Sequence, residues 1–433
     1  MMMSNNRTLK VGMLGCGVVG SNVARLLHED SGDFAARSGA TLTLAKVAVK
    51  NAATKRDHVD PSIITTNPHS IVNDPSIDIV IEVMGGIEPA RELILTAIKN
   101  GKSIITANKA LLALHGAELF EAADKNGVDL YYEAAVGGAI PILRPMRESI
   151  VGDHVHRVMG IVNGTTNYIL TKMDEEGSAF ADVLKEAQAL GFAEADPTAD
   201  IEGHDAAAKA AILAGLAFHS RVTSKDVYCE GISKISARDV AVARDMDHVI
   251  KLLAIAELTS DNQVSVRVHP TLISRQHPLA SVRNAFNAVF VEAESAGELM
   301  FYGRGAGGAP TASAVLGDLI AIARNKTRGG EGHGESDYAE LSIASIDKVK
   351  SRYLIRLDVA DKPGVLATVA QLFATSNVSI ETVRQSGRGD SAELIVATHA
   401  APEFSLQKTV DALAQSDVVK SVESVLRIES SAK

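Results

Sequence analysis

The chain has 433 residues, 46% of them hydrophobic, which is enough for two or three domains with cores of their own. Its formal net charge of −10 argues against nucleic acid as a partner, because phosphate binding requires a basic surface. The two cysteines, Cys16 and Cys229, exclude a disulfide framework and favour a reducing compartment. The start, MMMSNNRTLK, lacks the apolar segment of a signal peptide, and no run is long enough to span a membrane, so we expect a soluble, cytoplasmic protein.

The first predicted element is a short apolar strand that leads into a glycine-rich turn and a helix, SNVARLLHED. The turn has the GxGxxG spacing of dinucleotide-binding sites, in the strand–turn–helix context that such sites require. Glycines there permit a tight turn and close approach of a pyrophosphate, whose charge the helix N-terminus favours. The predicted cofactor-binding residues of this turn are Gly15, Gly17, Val18, Val19 and Gly20.

The second predicted strand, residues 42–51, indicates which dinucleotide is bound. A site selective for NAD normally has an Asp or Glu at the end of this strand, to accept hydrogen bonds from the ribose hydroxyls. No acidic residue occurs between Phe34 and Arg56, whereas Lys46, Lys50 and Lys55 do. Cations suit a 2′-phosphate, so we predict NADP, with Lys50 at the strand end and NAD still possible. Lys55 and Arg56 fit a basic loop facing solvent equally well.

Strands are predicted at 77–85, 102–109 and 128–137, with helices at 88–99 and 110–126, which is the alternation of a parallel, doubly wound sheet. Ligands of such sheets bind beyond the carboxyl ends of the strands, where Thr106, Ala107 and Lys109 are expected. A lysine at the start of a helix opposes the helix dipole, which favours a functional role for Lys109.

Residues 133–141, EAAVGGAIP, follow the last of these strands. A carboxylate and a glycine-loosened turn can direct backbone carbonyls around a hard cation. A turn in which Gly137 and Gly138 only permit close packing is the alternative.

Beyond Pro141, the segment 156–173 predicts a strand, a polar turn at Asn163–Asn167 and a helix. Thr165 and Thr166 are candidate caps of that helix, and the same backbone amides can bind a carboxylate. Strands at 227–233, 248–258, 263–273 and 286–301, with helices at 178–190 and 236–244, suggest a mainly antiparallel sheet suited to catalysis and dimer contact.

A segment broken by Pro and Gly then leads into a helix that is apolar nearly all round, residues 204–218. We call this segment the acidic segment, since it contains Glu194, Asp196, Asp200, Glu202 and Asp205. Its carboxylates can simply complement the helix dipole, and an Asp205–Lys209 pair is usually a surface contact of ~0.3–0.5 kcal/mol. The helix is too apolar for Lys209 to lie on a solvated face. A desolvated lysine beside carboxylates suits a proton donor of tuned affinity, and we favour that role.

The segment resembles the signature of the homoserine dehydrogenases, which Ala187, Gly191, Asp196-Pro197, Asp200, Gly203, Asp205 and Lys209 match throughout. The run GIVNGTTNYIL at 160–170 is a second resemblance to this family. The resemblance implies that Lys209 donates the proton to the substrate carbonyl and that Lys109 is the second catalytic lysine. Asp205 also belongs to the implied catalytic set. The implied substrate-binding residues are Glu194, Asp205, Asp200, Gly164 and Thr165.

The resemblance also implies a monovalent cation, sodium, held by Glu133 and carbonyls of Val136, Gly138 and Ile140. It further implies that the Gly-rich loop 302–311 covers the cofactor, with Gly305 among the binding residues, and that helix 310–325 returns to the nucleotide domain. An ordinary crossover between domains is the alternative for this loop.

The last module contains the turn Asp361-Lys362-Pro363-Gly364-Val365-Leu366 and a predicted βαββαβ order. It resembles the ACT family of amino-acid-sensing domains, with threonine as the implied effector. A role in assembly alone is the alternative. Residues 1–325 support hydride transfer by resemblance, so the module is not required for chemistry.

The predicted fold class is α/β: an N-terminal Rossmann-type doubly wound sheet, an α+β catalytic and dimerisation domain and a C-terminal ferredoxin-like ACT domain. The predicted bounds are 1–140 for the NAD(P)-binding domain, 141–309 for the catalytic domain, 326–350 for a linker and 351–431 for the ACT domain. The expected activity is reversible reduction of L-aspartate 4-semialdehyde to L-homoserine by a homodimer or homotetramer, in the biosynthesis of threonine, methionine and isoleucine. The alternatives are an amino-acid sensor and another amino-acid dehydrogenase on this fold.

Overall fold

The structure is a computed structural model and describes residues 7–332, 334, 339–387 and 392–429. The strands are β1 Arg7–Leu14, β2 Ala40–Ala48, β3 Ile64–Thr65, β4 Ile79–Glu82, β5 Ser103–Thr106, β6 Leu130–Tyr131, β7 Val155–Ile161, β8 Tyr228–Cys229, β9 His248–Leu258, β10 Val264–Ser274, β11 Phe286–Ala293, β12 Gly297–Arg304, β13 Lys350–Val359, β14 Ile380–Ser386, β15 Ala392–Thr398, β16 Ala401–Pro402 and β17 Val419–Ile428. The helices are α1 Val18–Glu29, α2 Ser31–Ser38, α3 His69–Val72, α4 Ala90–Lys99, α5 Lys109–Asn126, α6 Gly164–Glu176, α7 Phe180–Ala189, α8 Thr198–Ile201, α9 His204–Phe218, α10 Ala237–Asp245, α11 Gly308–Arg328, α12 Val365–Thr375 and α13 Glu403–Ala414.

The chain divides into two compact units. Unit 1 comprises Met1–Val158, Ala208–Asp226 and Phe286–Leu341, and unit 2 comprises Met159–Ala207, Val227–Ala285 and Ser342–Lys433. Residues 1–6 of the predicted nucleotide domain, 333 and 335–338 of the predicted linker, and 388–391 and 430–431 of the predicted ACT domain lie outside the described residues.

The sheet of unit 1 is parallel and has the strand order β3-β2-β1-β4-β5-β6. The order reverses between β1 and β4, which is the doubly wound arrangement that the sequence predicted. The second half of β1 and the whole of β4 are buried, as expected where helices cover both faces of a sheet. The carboxyl ends of β1, β4 and β5 therefore meet at the edge where such sheets bind ligands.

Helix α11 returns to this sheet, as predicted, and packs against α1. Its apolar residues Val315, Leu319 and Ile322 are fully buried in the same core as Val11 and Met13 of β1. The spacing of three and four residues places these side chains on one face of the helix.

In unit 2, neighbouring strands follow the order β9-β10-β17-β13-β15-β14. Strands β9 and β10 are antiparallel, as predicted, and β10 pairs in parallel with β17. The order β17-β13-β15-β14, with helices α12 and α13, is the ferredoxin-like βαββαβ arrangement expected of the C-terminal module. Its core includes Tyr353, Val369, Phe373 and Leu406. The module thus shares a sheet with β10.

The strands predicted at 77–85 and 102–109 were too long, since β4 and β5 have four residues each. Three other predicted strands differ more. The strand at 286–301 is a hairpin, β11–β12, because Gly297 adopts φ 70° and the Asp153 carboxylate accepts hydrogen bonds from the amides of Ser295 (3.0 Å) and Ala296 (2.7 Å) in the turn. The strand at 128–137 is reduced to β6, because the chain enters a 3-10 turn at Glu133–Ala135. The strand at 227–233 is reduced to the two residues of β8.

Candidate active site

The glycine-rich turn of unit 1 joins β1 to α1. Gly15 has φ 96°, and a Cβ on it would lie 2.8 Å from the Val83 carbonyl oxygen, so only glycine fits. A Cβ on Gly20 would lie 2.7 Å from the Gly15 carbonyl oxygen. Gly17 differs, because a Cβ on it would meet nothing within 4 Å, and it caps α1 without a side chain. The turn is therefore closely packed on the protein side and open at Gly17, in front of the helix N-terminus, and a pyrophosphate fits there.

The cations near the end of β2 have different surroundings. Lys46 pairs with Asp74, and Lys55 is 92% exposed beside Asp57. Lys50 is also exposed. Arg56 donates from Nε to the Cys16 carbonyl oxygen at 3.3 Å, and therefore contacts the glycine-rich turn directly.

Arg56 also donates from Nη1 to the carbonyl oxygens of Thr54 (2.6 Å) and Asn51 (3.1 Å). From the sequence, a solvent-facing Arg56 was weighed equally with an Arg56 that contacts the cofactor. Lys50 was the residue predicted to bind the 2′-phosphate. The missing signal was the return of the loop after β2 to the glycine-rich turn, which residue spacing does not show.

The carboxyl ends of β4 and β5 form a second hydrogen-bonded group in unit 1. The Thr106 hydroxyl donates to Glu82 Oε2 at 2.6 Å, and Glu82 Oε1 accepts from the amides of Met84 (2.9 Å) and Gly85 (3.0 Å). Glu82 and Thr106 are fully buried. Sequence reasoning missed Glu82, although a carboxylate that ends an apolar strand was a usable signal.

Asn108 places Lys109 at the start of α5. Its side chain caps the helix by accepting from the Leu111 amide at 3.2 Å, and it donates to the Gly86 carbonyl oxygen at 2.6 Å. Lys109 is the first residue of α5, at the ligand-binding edge of the sheet, as the sequence predicted.

The turn after β6 is organised by Glu133, which is 6% exposed. Its Oε1 accepts from the amides of Ile142 (2.7 Å) and Leu143 (2.9 Å), and its Oε2 accepts from the Arg144 amide at 2.8 Å. Both carboxylate oxygens thus fix the course of the chain after the turn, a role the sequence did not predict.

The predicted carbonyl ligands Val136, Gly138 and Ile140 lie in this turn. Among the backbone hydrogen bonds of the described turns and loops, none is accepted by their carbonyl oxygens, and Val136 and Ile140 are buried. Buried carbonyls without donors are costly unless another group meets them, so the donor set fits a hard cation.

Asp318 of α11 supports the same turn and is 1% exposed. The Glu133 amide donates to its Oδ2 at 2.9 Å, and the Arg144 guanidinium donates to its Oδ1. Burial raises the pKa of Asp318 to about 7, while Arg144 acts in the opposite direction.

The loop before α11 packs against the Glu133 turn and against the first turn of α1. A Cβ on Gly138 would lie 2.5 Å from the Gly305 carbonyl oxygen, and one on Gly308 would lie 2.8 Å from Val18 Cγ1 in the first turn of α1. The loop therefore lies between the Glu133 turn and the start of α1, which favours the predicted contact of Gly305 with a cofactor.

In unit 2, Asn163 gathers carboxylates from the acidic segment. Its Nδ2 donates to Asp200 Oδ1 at 2.7 Å and to Asp205 Oδ2 at 2.9 Å, and its Oδ1 accepts from the Thr166 amide at 2.9 Å. Asn163 is 5% exposed. One side chain thus caps α6 and holds two carboxylates that are separated in sequence, and it was not among the predicted site residues.

Neither of the candidate caps, Thr165 and Thr166, caps α6, because Asn163 is the cap. The Thr165 hydroxyl donates to the Phe192 carbonyl oxygen at 2.6 Å and is therefore engaged elsewhere. Gly164 is the first residue of α6, so its amide lies at the positive end of the helix dipole.

Other residues of the acidic segment lie outside this hydrogen-bonded group. Glu194 is exposed. The Thr198 hydroxyl and amide donate to Asp196, which lowers the pKa of that carboxyl group. Asp196 thereby holds the turn that opens the short helix α8, which contains Asp200.

Helix α9 carries Asp205 and, four residues later, Lys209. Lys209 is 8% exposed among buried alanines, so the predicted burial of this lysine is confirmed. Lys209 and Lys109 belong to unit 1, whereas Asp205, Asp200 and Glu194 belong to unit 2.

Unit 1 also contains a cavity of about 410 Å³ lined by Leu112, Phe120, Ile212, Leu216 and Arg221, among others. Its lining comes from α5, the second half of α9, Tyr132 and residues 220–223, and includes neither Lys109 nor Lys209. The cavity is therefore separate from the predicted site residues of these helices.

Comparison with known families gives three matches along the chain. A family model described as "Homoserine dehydrogenase, NAD binding domain" matches residues 15–133, and one described as "Homoserine dehydrogenase" matches 141–320. The ACT domain model matches 353–417. No helix among the described residues is long and apolar enough to cross a membrane.

Relatives are similar over nearly the full length. Homoserine dehydrogenase of Corynebacterium glutamicum is 54% identical over 97% of this chain and 95% of its own, and that of Mycobacterium leprae is 54% identical over 99% of both chains. The crystal structure of a homoserine dehydrogenase from Thiobacillus denitrificans superposes with a TM-score of 0.94 at 39% identity, over 99% of both chains. A hyperthermophilic archaeal homoserine dehydrogenase in complex with NADPH gives 0.62 at 28% identity, over 73% of this chain and 97% of its own.

Proposed function

The chain belongs to the homoserine dehydrogenase family, and from that premise we propose that it reduces L-aspartate 4-semialdehyde reversibly to L-homoserine with NADPH as the preferred cofactor. The observation that carries this proposal is the convergence of Asp200 and Asp205 on Asn163. The substrate has an ammonium group, and two carboxylates held together near the start of a helix are suited to bind it.

NADP, when bound, supplies or accepts the hydride. The open backbone at Gly17 and the packed glycines around it fit the pyrophosphate. The absence of an acidic residue between the end of β2 and Arg56, with Lys50 and Arg56 in its place, supports the 2′-phosphate of NADP. Thr106, Ala107, Lys109 and Gly305 are further proposed contacts of the cofactor.

We assign proton transfer to Lys209, which gives a proton to the carbonyl oxygen as reduction proceeds. Lys209 is 8% exposed, so bulk water has little access to its side chain. Lys109 places the substrate and cofactor. Glu194, Asp200 and Asp205 bind the polar groups of the substrate, and Asn163 holds Asp200 and Asp205 together. The amides of Gly164 and Thr165 at the start of α6 suit the substrate carboxylate.

We further propose that the carbonyls of Val136, Gly138 and Ile140, together with Glu133, hold a monovalent cation, sodium. The cation would balance the partial negative charges of three buried carbonyls and so fix the turn that packs on the Gly305 loop. We assign it no chemical step.

The experiment that tests the activity compares NADPH and NADH as cofactors for the purified chain with the semialdehyde, followed by absorbance of the reduced nicotinamide. We expect turnover with both and a higher kcat/KM with NADPH. Absence of turnover in a folded sample would overturn the assigned reaction, and equal kcat/KM values would overturn the cofactor preference.

We propose that the protein acts as a cytoplasmic homodimer or homotetramer in the biosynthesis of threonine, methionine and isoleucine. We also propose that threonine regulates it, and the ACT domain supports this proposal. Threonine must bind a less active arrangement more tightly in order to inhibit. Titration of threonine into the intact enzyme should release heat and reduce the rate. Neither effect would be seen if the ACT domain served assembly alone.

A further inference from the structure

The ACT domain meets the rest of unit 2 at a buried arginine. Strand β17 pairs in parallel with β10, with Arg427 opposite Thr271 and Ile428 opposite Leu272. Arg427 is 7% exposed at this junction, and its guanidinium lies over the rings of Tyr228 (5.1 Å) and Tyr353 (5.5 Å). A buried guanidinium requires partners for its charge and its donors.

Arg427 has acidic partners on both sides of the junction. Within the ACT domain, Glu403 accepts from its Nε and Nη2, each at 2.9 Å. Outside the ACT domain, Glu230 accepts from Nη1 at 2.9 Å. Tyr228 donates to the same Glu230 oxygen, and Arg427 Nη2 donates to the Tyr228 hydroxyl at 3.3 Å. Glu230 is therefore the acidic group that joins Arg427 to the segment after β8.

The segment after β8 packs directly on the acidic segment. The Ile232 amide donates to the Ile201 carbonyl oxygen at 2.7 Å. A Cβ on Gly231 would lie 2.3 Å from that oxygen and 2.5 Å from Glu202 Cα, so the two backbones touch. The Cys229 thiol donates to the Glu202 carbonyl oxygen at 3.3 Å.

Asp200 and Asp205 flank this contact in sequence. Gly203 lies between them with φ 82°, and a Cβ on it would lie 3.0 Å from Cys229 Sγ and 3.2 Å from Val268 Cγ1. Because the packing is tight on both sides, a shift of residues 229–231 displaces residues 201–203.

We propose that Arg427 and Glu230 are positioning residues through which the ACT domain sets the position of the acidic segment 200–205. The effect on the substrate rests on the proposed function, because Asp200 and Asp205 are assigned to substrate binding there. A change in the ACT domain that moves Arg427 changes the KM for the semialdehyde and leaves the KM for NADPH unaltered.

Glu230→Gln tests the proposal in the full-length enzyme, because it removes the charge and retains the size. We expect the KM for the semialdehyde to rise about 3- to 10-fold, with kcat and the KM for NADPH within about twofold. Arg427→Gln and the double variant complete a mutant cycle, in which the effects should be far from additive. Glu230→Gln alone suffices if Arg427→Gln fails to fold.

Arg238→Gln is the matched control. Arg238 donates from Nε to Glu393 of the ACT domain at 3.0 Å, and so also joins helix α10 to that domain, but it does so through β15 rather than through the segment after β8. We expect every kinetic constant of this variant within about twofold of the parent. An equal rise of the KM for the semialdehyde in Glu230→Gln and Arg238→Gln would mean that any contact between the ACT domain and the rest of unit 2 has this effect. That result would overturn the specific role of Arg427 and Glu230.

Hydrogen–deuterium exchange of amides 198–206 separates this inference from the assigned reaction. We expect faster exchange in Glu230→Gln than in the parent or in Arg238→Gln. Faster exchange in an enzyme that does not reduce the semialdehyde would overturn the reaction and support the coupling. Unchanged exchange together with an unchanged KM, or a loss of kcat and melting temperature without a change in KM, would overturn the coupling.

Discussion

The glycine-rich turn and the acidic segment are built in opposite ways. The absence of side chains lets Gly15 pack against the backbone of Val83 and Met84 and lets Gly20 pack against Gly15, while the backbone at Gly17 is open to an anion. In the acidic segment, by contrast, one amide side chain, Asn163, holds two carboxylates. The turn is sensitive to added atoms, whereas the acidic segment is sensitive to lost ones. Predictions that add atoms to one region and remove them from the other test this contrast.

The largest expected effect comes from removal of the lysine that follows the acidic segment. Lys209→Ala should lower kcat by about 10²–10⁴-fold, because the carbonyl oxygen loses its proton donor. The KM for NADPH should change little, because the glycine-rich turn binds the cofactor through its backbone and not through the side chains near the acidic segment. Steady-state kinetics with each substrate varied provide the measurement.

Lys172→Ala is the control for this variant, since Lys172 forms surface ion pairs with Glu176 and Glu186. It should retain parental kcat. Near-normal turnover of a folded Lys209→Ala enzyme would remove Lys209 from its assigned role.

Asn163 allows the capping and binding roles of the acidic group to be separated. Asn163→Ala should reduce kcat/KM for the semialdehyde about 10- to 100-fold, because it leaves two carboxylates without their shared donor. It should also cost about 1 kcal/mol of stability as a lost helix cap. Kinetics and thermal unfolding of the same samples measure both.

Asn163→Asp retains an acceptor for the Thr166 amide, but it removes the donor to the two carboxylates and adds a third negative charge beside them. We expect it to preserve more of the melting temperature than Asn163→Ala while showing a comparable or larger loss of kcat/KM. If Asn163→Asp kept parental kcat/KM, the carboxylates would not need Asn163.

Gly17→Ala tests the complementary region by adding one methyl group. Nothing lies within 4 Å of the new carbon, so the melting temperature should be retained. The KM for NADPH should rise by about tenfold, because the methyl group occupies the approach to the helix N-terminus. Gly15→Ala should instead lose stability as well, because its Cβ would meet the Val83 carbonyl. An unchanged KM for NADPH in Gly17→Ala would place the pyrophosphate elsewhere.

The two regions also differ in how far the sequence predicted them. The glycine-rich turn and the parallel sheet follow from local spacing and alternation, which the sequence displays directly. The return of α11 was implied by the family resemblance alone. Asn163, Glu82 and Glu133 hold their partners through contacts between residues far apart or through the path of the chain after a turn. Such contacts depend on tertiary packing, which neither the hydrophobic periodicity nor the composition of the sequence shows. The ACT domain illustrates the same limit, because its fold was predicted, whereas the pairing of β17 with β10 and the burial of Arg427 were not.

The smallest expected effect concerns the cations beside the glycine-rich turn, where a side chain contributes to a site otherwise made of backbone. Lys50→Asp should lower the NADPH/NADH ratio of kcat/KM by about 3- to 10-fold, because a carboxylate repels a 2′-phosphate and accepts from ribose hydroxyls. Arg56→Gln should also lower this ratio if the guanidinium that contacts the Cys16 carbonyl reaches that phosphate.

Lys55→Gln is the control, since Lys55 is 92% exposed and its replacement should leave the ratio unchanged. A ratio that falls only in Arg56→Gln would transfer the phosphate contact from Lys50 to Arg56. A ratio unchanged in all three variants would mean that the turn binds either cofactor through its backbone alone.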